Sequence, residues 1–200
     1  VYDAVISTKA PSYVVRHRNH VVYLPHTMRI FYDMYEEADA AFVSRLRAQR
    51  DIVRRIDTAA LRRNSVKGVF AVGHEVRERL RAFNGIDSQV LHHPSTLPHA
   101  ADRAARHVLI AGRLHRWKRV DLALAAVRAM KRTVEIVVTG TGEDEAAIRA
   151  AAAGLAHVRF TGHVADEALA ALYAEAIAVL YCPLREDFGL GHHRAAGLDD

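Results

Sequence analysis

Short apolar runs alternate with segments of helical periodicity along this chain. Tyr2 to Ser7 (YDAVIS), His20 to Leu24 (HVVYL), Val66 to Val72 (VKGVFAV) and Gln89 to Leu91 have the length and composition of strands. Lys9-Ala-Pro11, Pro25-His26-Thr27 and His92-His93-Pro94 close strands, because proline cannot donate to a ladder. Between them, Asp39 to Asn64 repeats apolar side chains at Phe42, Leu46, Val53, Ile56 and Ala60, which predicts an amphipathic helix. Its other face carries Arg45, Arg47, Arg50, Arg54, Arg55, Arg62 and Arg63. Gly73-His74 leads into a second helix, Glu75 to Phe83, whose Arg and Glu side chains are expected in solvent. Asn84-Gly85 is a turn dipeptide.

The second half alternates more regularly. His107 to Ala111, Val134 to Thr139, Val158 to Thr161 and Ala176 to Tyr181 read as strands, the last as a buried parallel one. Val120 to Met130, Glu143 to Ala153 and Asp166 to Glu175 read as the helices between them, the third capped by Asp166. This order predicts an α/β unit with a parallel sheet. Residues 96–106 lack periodicity and carry Pro98, so they read as a linker between a first domain, 1–95, and a second, 107–200.

Composition narrows the class. Two hundred residues, half of them hydrophobic and 26% charged, make a globular chain. A net charge of +5 and 13 histidines suit anionic ligands such as nucleotides, without pointing to nucleic acid. The arginine face of the first helix suits anionic lipid or substrate, or plain solvation. The single cysteine, Cys182, excludes an internal disulfide and fits the cytoplasm. No apolar run reaches the roughly 20 residues of a membrane helix. Val1 opens directly on a strand-like segment, so the sequence reads as a fragment.

Ligands of open α/β sheets bind beyond the carboxyl ends of the strands. Gly112 to Lys118, Gly140 to Gly142 and Glu186 to Leu190 lie there. The first loop offers two cations, Arg113 and Lys118, for a diphosphate. The second is a Gly-Thr-Gly that could lie under a nucleotide, although the third glycine of the dinucleotide pattern is absent. The last places Glu186 beside Gly189, whose backbone can approach an anion closely. His26 occupies the same kind of position after the second strand, as a structural or a catalytic histidine. No Walker pattern, zinc spacing or divalent-metal aspartate pair is present, so no metal site is expected. His92 and His93, adjacent on a strand, are expected to face opposite ways.

Five pieces carry a resemblance in order and spacing. Gly112-Arg-Leu-x-x-x-Lys118, Val120-Asp-Leu122, Val138-Thr-Gly-x-Gly142, Phe160-Thr-Gly162 and Glu186-Asp-Phe-Gly-Leu190 resemble the C-terminal nucleotide-binding domain of family 4 retaining glycosyltransferases. Tyr2 to Pro11, Leu24 to Met28 and Phe70 to Leu80 are similar to the acceptor domain of the same enzymes. The resemblance implies the GT-B architecture: two Rossmann-like parallel-sheet domains facing a cleft, both incomplete here. It implies a hexosyltransferase-like enzyme that moves a sugar from a nucleoside-diphosphate sugar to a sugar, lipid or small-molecule acceptor, with retention, and needs no cofactor or metal. In it, Arg113 and Lys118 would bind the diphosphate beside Gly112, Gly140 and Gly142. Glu186 would hold the sugar hydroxyls, the backbone of Phe188, Gly189 and Leu190 the phosphate oxygens, and His26 would sit near the transferred sugar.

The sequence departs from that pattern at Arg194, where the family has a second glutamate for the ribose. A sugar-nucleotide epimerase of the same architecture and a binding module without turnover stand as alternatives.

Overall fold

The computed structural model describes residues 2–35, 37, 40–94, 97–98 and 103–189, with the side chains of Ala40 and Phe42 left aside. The chain divides into two compact units. The first takes the residues up to His93 and also Arg185–Phe188; the second takes Pro94–Leu184 and, among the described residues beyond, Gly189.

In the first unit, β1 (Val5–Ser7), β2 (His20–Leu24), β3 (Val66–Ala71) and β4 (Gln89–Val90) form a four-stranded sheet in that order. Each pair is parallel. β2 alternates: His20, Val22 and Leu24 are buried, while Val21 and Tyr23 are half-buried. Helices α1 (Ala40–Leu61) and α2 (His74–Asn84) supply the crossovers from β2 to β3 and from β3 to β4, while a 3-10 turn, Ser12–Val14, lies between β1 and β2. The core gathers Tyr13, Val22, Leu24, Ala60, Val72, Val76 and Leu80. Gly85 ends α2 in the left-handed region at φ 59°, as its dipeptide predicts, and Arg62 donates to the carbonyls of Asn84 and Gly85.

The apolar stripe expected on α1 holds at Ala60, which is buried, and at half-buried Leu46 and Val53, but fails at Ile56, which is exposed, while Asp57 turns inward, 5% exposed. Tyr32 donates its hydroxyl to the Asp57 carboxylate at 2.6 Å, and Tyr13 lies near enough for that carboxylate to raise its pKa, so a polar residue takes a core position with a partner. Nor is the arginine face simply solvated. Arg54 donates to the Phe31 carbonyl and lies over Phe83, Arg50 covers Tyr35, and Arg63 donates to the Val14 carbonyl. Arg45, Arg47 and Arg55 are exposed.

In the second unit, β5 (His107–Ala111), β6 (Glu135–Thr139), β7 (Val158–Gly162) and β8 (Ala176–Val179) form a four-stranded sheet in the order β7-β6-β5-β8. All three pairings are parallel. Helices α3 (Val120–Arg128), α4 (Glu145–Ala151) and α5 (Asp166–Ala174) alternate with them. The core runs through Val108, Ile110, Leu114, Leu124, Val127, Ile136, Val138 and Ile148. β5 and β6, with neighbours on both sides, are nearly all buried.

Two expectations fail here. β8 is not a buried strand: it lies at the edge of this sheet among the described residues, and Ile177 is 56% exposed. Asp166 does not cap α5; it is the first helical residue, and Ala165 holds the extended cap position.

Candidate functional site

The glycine loops of the second unit are built on each other. Gly140 has φ 120°, and a β-carbon there would lie 2.0 Å from the Gly112 carbonyl oxygen. One on Gly142 would lie 2.2 Å from the Leu114 carbonyl oxygen. Both distances are far inside contact, so only glycine fits either position. Backbone bonds fix the stack: Gly112 N–H donates to Thr139, Leu114 N–H to Thr141, and Asp144 N–H to Leu114. The Asp144 carboxylate, at the start of α4, accepts from the Arg116 N–H at 2.6 Å. Gly140-Thr-Gly142 thus has a packing role inside the unit.

The cations sit on this platform. Arg113 is exposed and pairs with Glu143, the residue after Gly142. Glu143 accepts a backbone hydrogen bond as well as the guanidinium, and the two hold its carboxyl below the usual range. Lys118 ends a 3-10 turn, Arg116–Lys118, with its Nζ 6.0 Å from the centre of the Tyr181 ring. Leu184 N–H donates to the Trp117 carbonyl in the same turn.

The residues expected around the sugar belong to the first unit. His26 is exposed just beyond β2, and its Nδ1 lies 3.2 Å from the Thr27 carbonyl oxygen, a contact that needs the proton on Nδ1. Glu186 is half-buried between Arg185, left-handed at φ 47°, and Asp187. Phe188 packs against the rings of His92 and His93, with centroids 5.1 and 4.6 Å away. β4 ends at Val90, so strand alternation does not reach these histidines, and both meet one ring. Gly189 belongs with the second unit and is buried at φ 73°. Leu190 and Arg194 lie outside the described residues.

An ion cluster that the sequence reading missed adjoins this segment. Arg79, 3% exposed rather than in solvent, donates from Nη1 to Asp187 Oδ1 at 2.5 Å and to Thr27 Oγ1 at 3.2 Å. Its Nη2 donates to Asp33 Oδ2 at 2.8 Å. Its Nε is also 2.8 Å from Asp33 Oδ1, an ion-pair contact too poorly aligned for a hydrogen bond. Arg29 adds a second cation 4.0 Å from Asp187. Burial pushes the Asp187 carboxyl up, and Arg79 and Arg29 pull part of that back. Burial also opposes the Arg79 charge, but Asp187 and Asp33 outweigh it and raise its pKa. A signal was available: Arg79 falls three residues after Val76 and one before Leu80, on the buried stripe of α2.

Among the described residues, no group of three or more His, Cys, Asp or Glu stands close enough to hold a metal ion. No helix described is long and apolar enough to cross a membrane.

Residues 105–197 match the family model described as Glycosyl transferases group 1. No curated protein matches the chain. Among solved structures, sucrose-phosphate synthase from Thermosynechococcus elongatus superimposes with a TM-score of 0.72 at 18% identity, over 97% of this chain and 53% of its own. Anabaena HepE in complex with UDP and glucose does so with a TM-score of 0.67 at 16% identity, over 88% of this chain and 50% of its own. A TarM mutant of S. aureus, in complex with fondaparinux, alpha-GlcNAc-glycerol and UDP, gives 0.63 at 17% identity, over 90% of this chain and 36% of its own. Two parallel-sheet α/β units with such neighbours have the fold of the GT-B glycosyltransferases. The chain spans about half the length of the first two of these structures.

Proposed function

We propose that this chain is the donor-handling part of a glycosyltransferase that uses a nucleoside-diphosphate sugar and retains the configuration of the transferred hexose. The observation that carries the reading is the family match over 105–197, which contains all three loops at the carboxyl ends of the second-half strands. Sugar transfer expels a nucleoside diphosphate, and fixed donors must stabilise the charge that develops on it. Arg113 and Lys118 supply the cations. Backbone N–H groups at Phe188, Gly189 and Leu190 supply neutral donors. Glu186 accepts from sugar hydroxyls, and His26 lies by the transferred sugar.

In a front-face reaction the leaving phosphate takes the acceptor's proton, so no carboxylate base and no metal is assigned. The solved neighbours described with UDP, and with glucose or an alpha-GlcNAc-glycerol, support a uridine donor and a hydroxyl acceptor. An epimerase is the less favoured reading, because the matching family model is one of transferases. Exposed Arg45, Arg47 and Arg55 on α1 are the residues that would touch an anionic membrane surface in the cytoplasm. The test is incubation with UDP-glucose and a panel of sugar, lipid and small-molecule acceptors. Transfer with an α-linked product supports the reading; epimer formation, or neither binding nor transfer, contradicts it.

A further inference from the structure

We infer that Arg79 is a positioning residue for both sugar-handling side chains of the first unit, acting through Thr27 on the His26 side and through Asp187 on the Glu186 side. The inference rests on the glycosyltransferase reading above. One guanidinium joins two segments that are 160 residues apart in sequence (Thr27 to Asp187). Each segment carries its sugar-facing residue immediately beside the bonded one.

The anchorage of Asp187 is specific. Its carboxylate meets Arg79 and, at 4.0 Å, Arg29. Its carbonyl oxygen lies where a β-carbon on Gly73 would be, 2.5 Å away, so the start of α2 is shaped to receive this backbone. Phe188 adds a third hold against His92 and His93. Glu186 itself stays half-buried beside this anchor. Arg79 in turn cannot drift, because Asp33 takes its other edge. A lysine would keep the charge but not bridge Thr27, Asp33 and Asp187 from one planar group.

The consequence is a split between two parts of the donor. The diphosphate is assigned to Arg113 and Lys118 of the second unit; the sugar is assigned to Glu186. Calorimetry with UDP and with UDP-glucose on the unaltered chain, Arg79→Lys, Asp187→Asn and Glu186→Gln tests this, with a melting curve for each. Arg79→Lys and Asp187→Asn are expected to bind UDP within about twofold of the unaltered chain. Both should lose about fivefold or more of the affinity that glucose adds, as Glu186→Gln does.

Thr27→Val, which leaves every charge in place, should lower the kcat of transfer without raising the KM for UDP-glucose. It keeps the question answerable if the charge variants do not fold. Folded variants that keep the preference for UDP-glucose, or a Thr27→Val with unchanged kcat, overturn the inference. An unaltered chain that binds neither probe overturns the glycosyltransferase reading first.

Discussion

The Arg79 guanidinium donates to Asp187 Oδ1 at 2.5 Å across 108 positions of sequence, inside a pocket that leaves Arg79 3% exposed. Two arginines, Arg79 and Arg29, face two aspartates, Asp33 and Asp187, so the cluster is neutral as a whole. Removing one member leaves a buried charge uncompensated, which costs far more than the pair gains over an apolar replacement. Arg79→Met is therefore expected to destabilise the chain by about 3–5 kcal/mol in urea unfolding. A loss below about 1 kcal/mol, the range of exposed pairs, would show that water reaches the cluster.

The two glycines of the Gly140-Thr-Gly142 loop should each reject a methyl group. Their virtual β-carbons overlap backbone carbonyls, which are not the flexible end of a side chain. Gly142→Ala must push the backbone at Leu114, in the loop after β5, away, at about 1–3 kcal/mol for an overpacked site. Gly140→Ala adds an unfavourable φ to the same clash. Thermal melting measures both. A Gly142→Ala variant as stable as the parent would mean that the loops separate freely, and the platform under Arg113 would lose its basis.

Glu143 pairs with Arg113 and would compete for it with the diphosphate proposed to bind there. Its carboxyl is held below the ordinary value by its backbone hydrogen bond and by Arg113. A depressed carboxylate contributes above its unfolded pKa of about 4.3, and that contribution fades as pH falls through the folded value. Near neutral pH the pair is intact, and a phosphate bound by Arg113 would have to displace it. Glu143→Gln should then tighten UDP binding, read by calorimetry near pH 7. Weaker binding would make Glu143 a ligand contact in its own right.

Alkaline pH addresses the Asp57 network. Burial first, and then the Asp57 carboxylate, raise the phenols of Tyr13 and Tyr32 above their ordinary value. A group whose folded pKa is raised gives stability that is full below its unfolded pKa, about 10 for tyrosine, and is lost as pH rises through the folded value. Urea unfolding should show stability falling above pH about 10, with a shallower fall in Tyr32→Phe. An equal slope in that variant would remove Tyr32 from the account.

Much of the fold was legible because parallel strands announce themselves. HVLIA and EIVVT are apolar on both faces, and β5 and β6 are buried on both. Asn84-Gly85 marked the end of α2. What failed depended on partners distant in sequence. Ile56 loses its inward place to Asp57 because the Tyr32 hydroxyl, from outside α1, satisfies a carboxylate there. AIAVLY reads as buried, yet whether a strand is flanked on one side or two is a property of the sheet, and Ile177 is exposed at its edge.

Of the candidate site, the sequence singled out glycines and cations but not their surroundings. Gly140 and Gly142 have a packing cause that spacing alone does not reveal. Arg113 meets a carboxylate one residue past Gly142 that no motif flags. Arg79 read as one more charge on a solvent face, because its partners Asp33 and Asp187 lie on other segments.

The central claim, that Arg113 and Lys118 hold the diphosphate of a sugar-nucleotide donor, is tested most directly by titrating UDP into the chain, with EDTA present, in a calorimeter. The account predicts binding that survives the chelator. It predicts a loss of about 1.5–3 kcal/mol in Arg113→Ala, the scale of a hydrogen bond to a charged group, and a comparable loss in Lys118→Ala. Unchanged affinity in both variants, or binding that appears only with added manganese or magnesium, would contradict it.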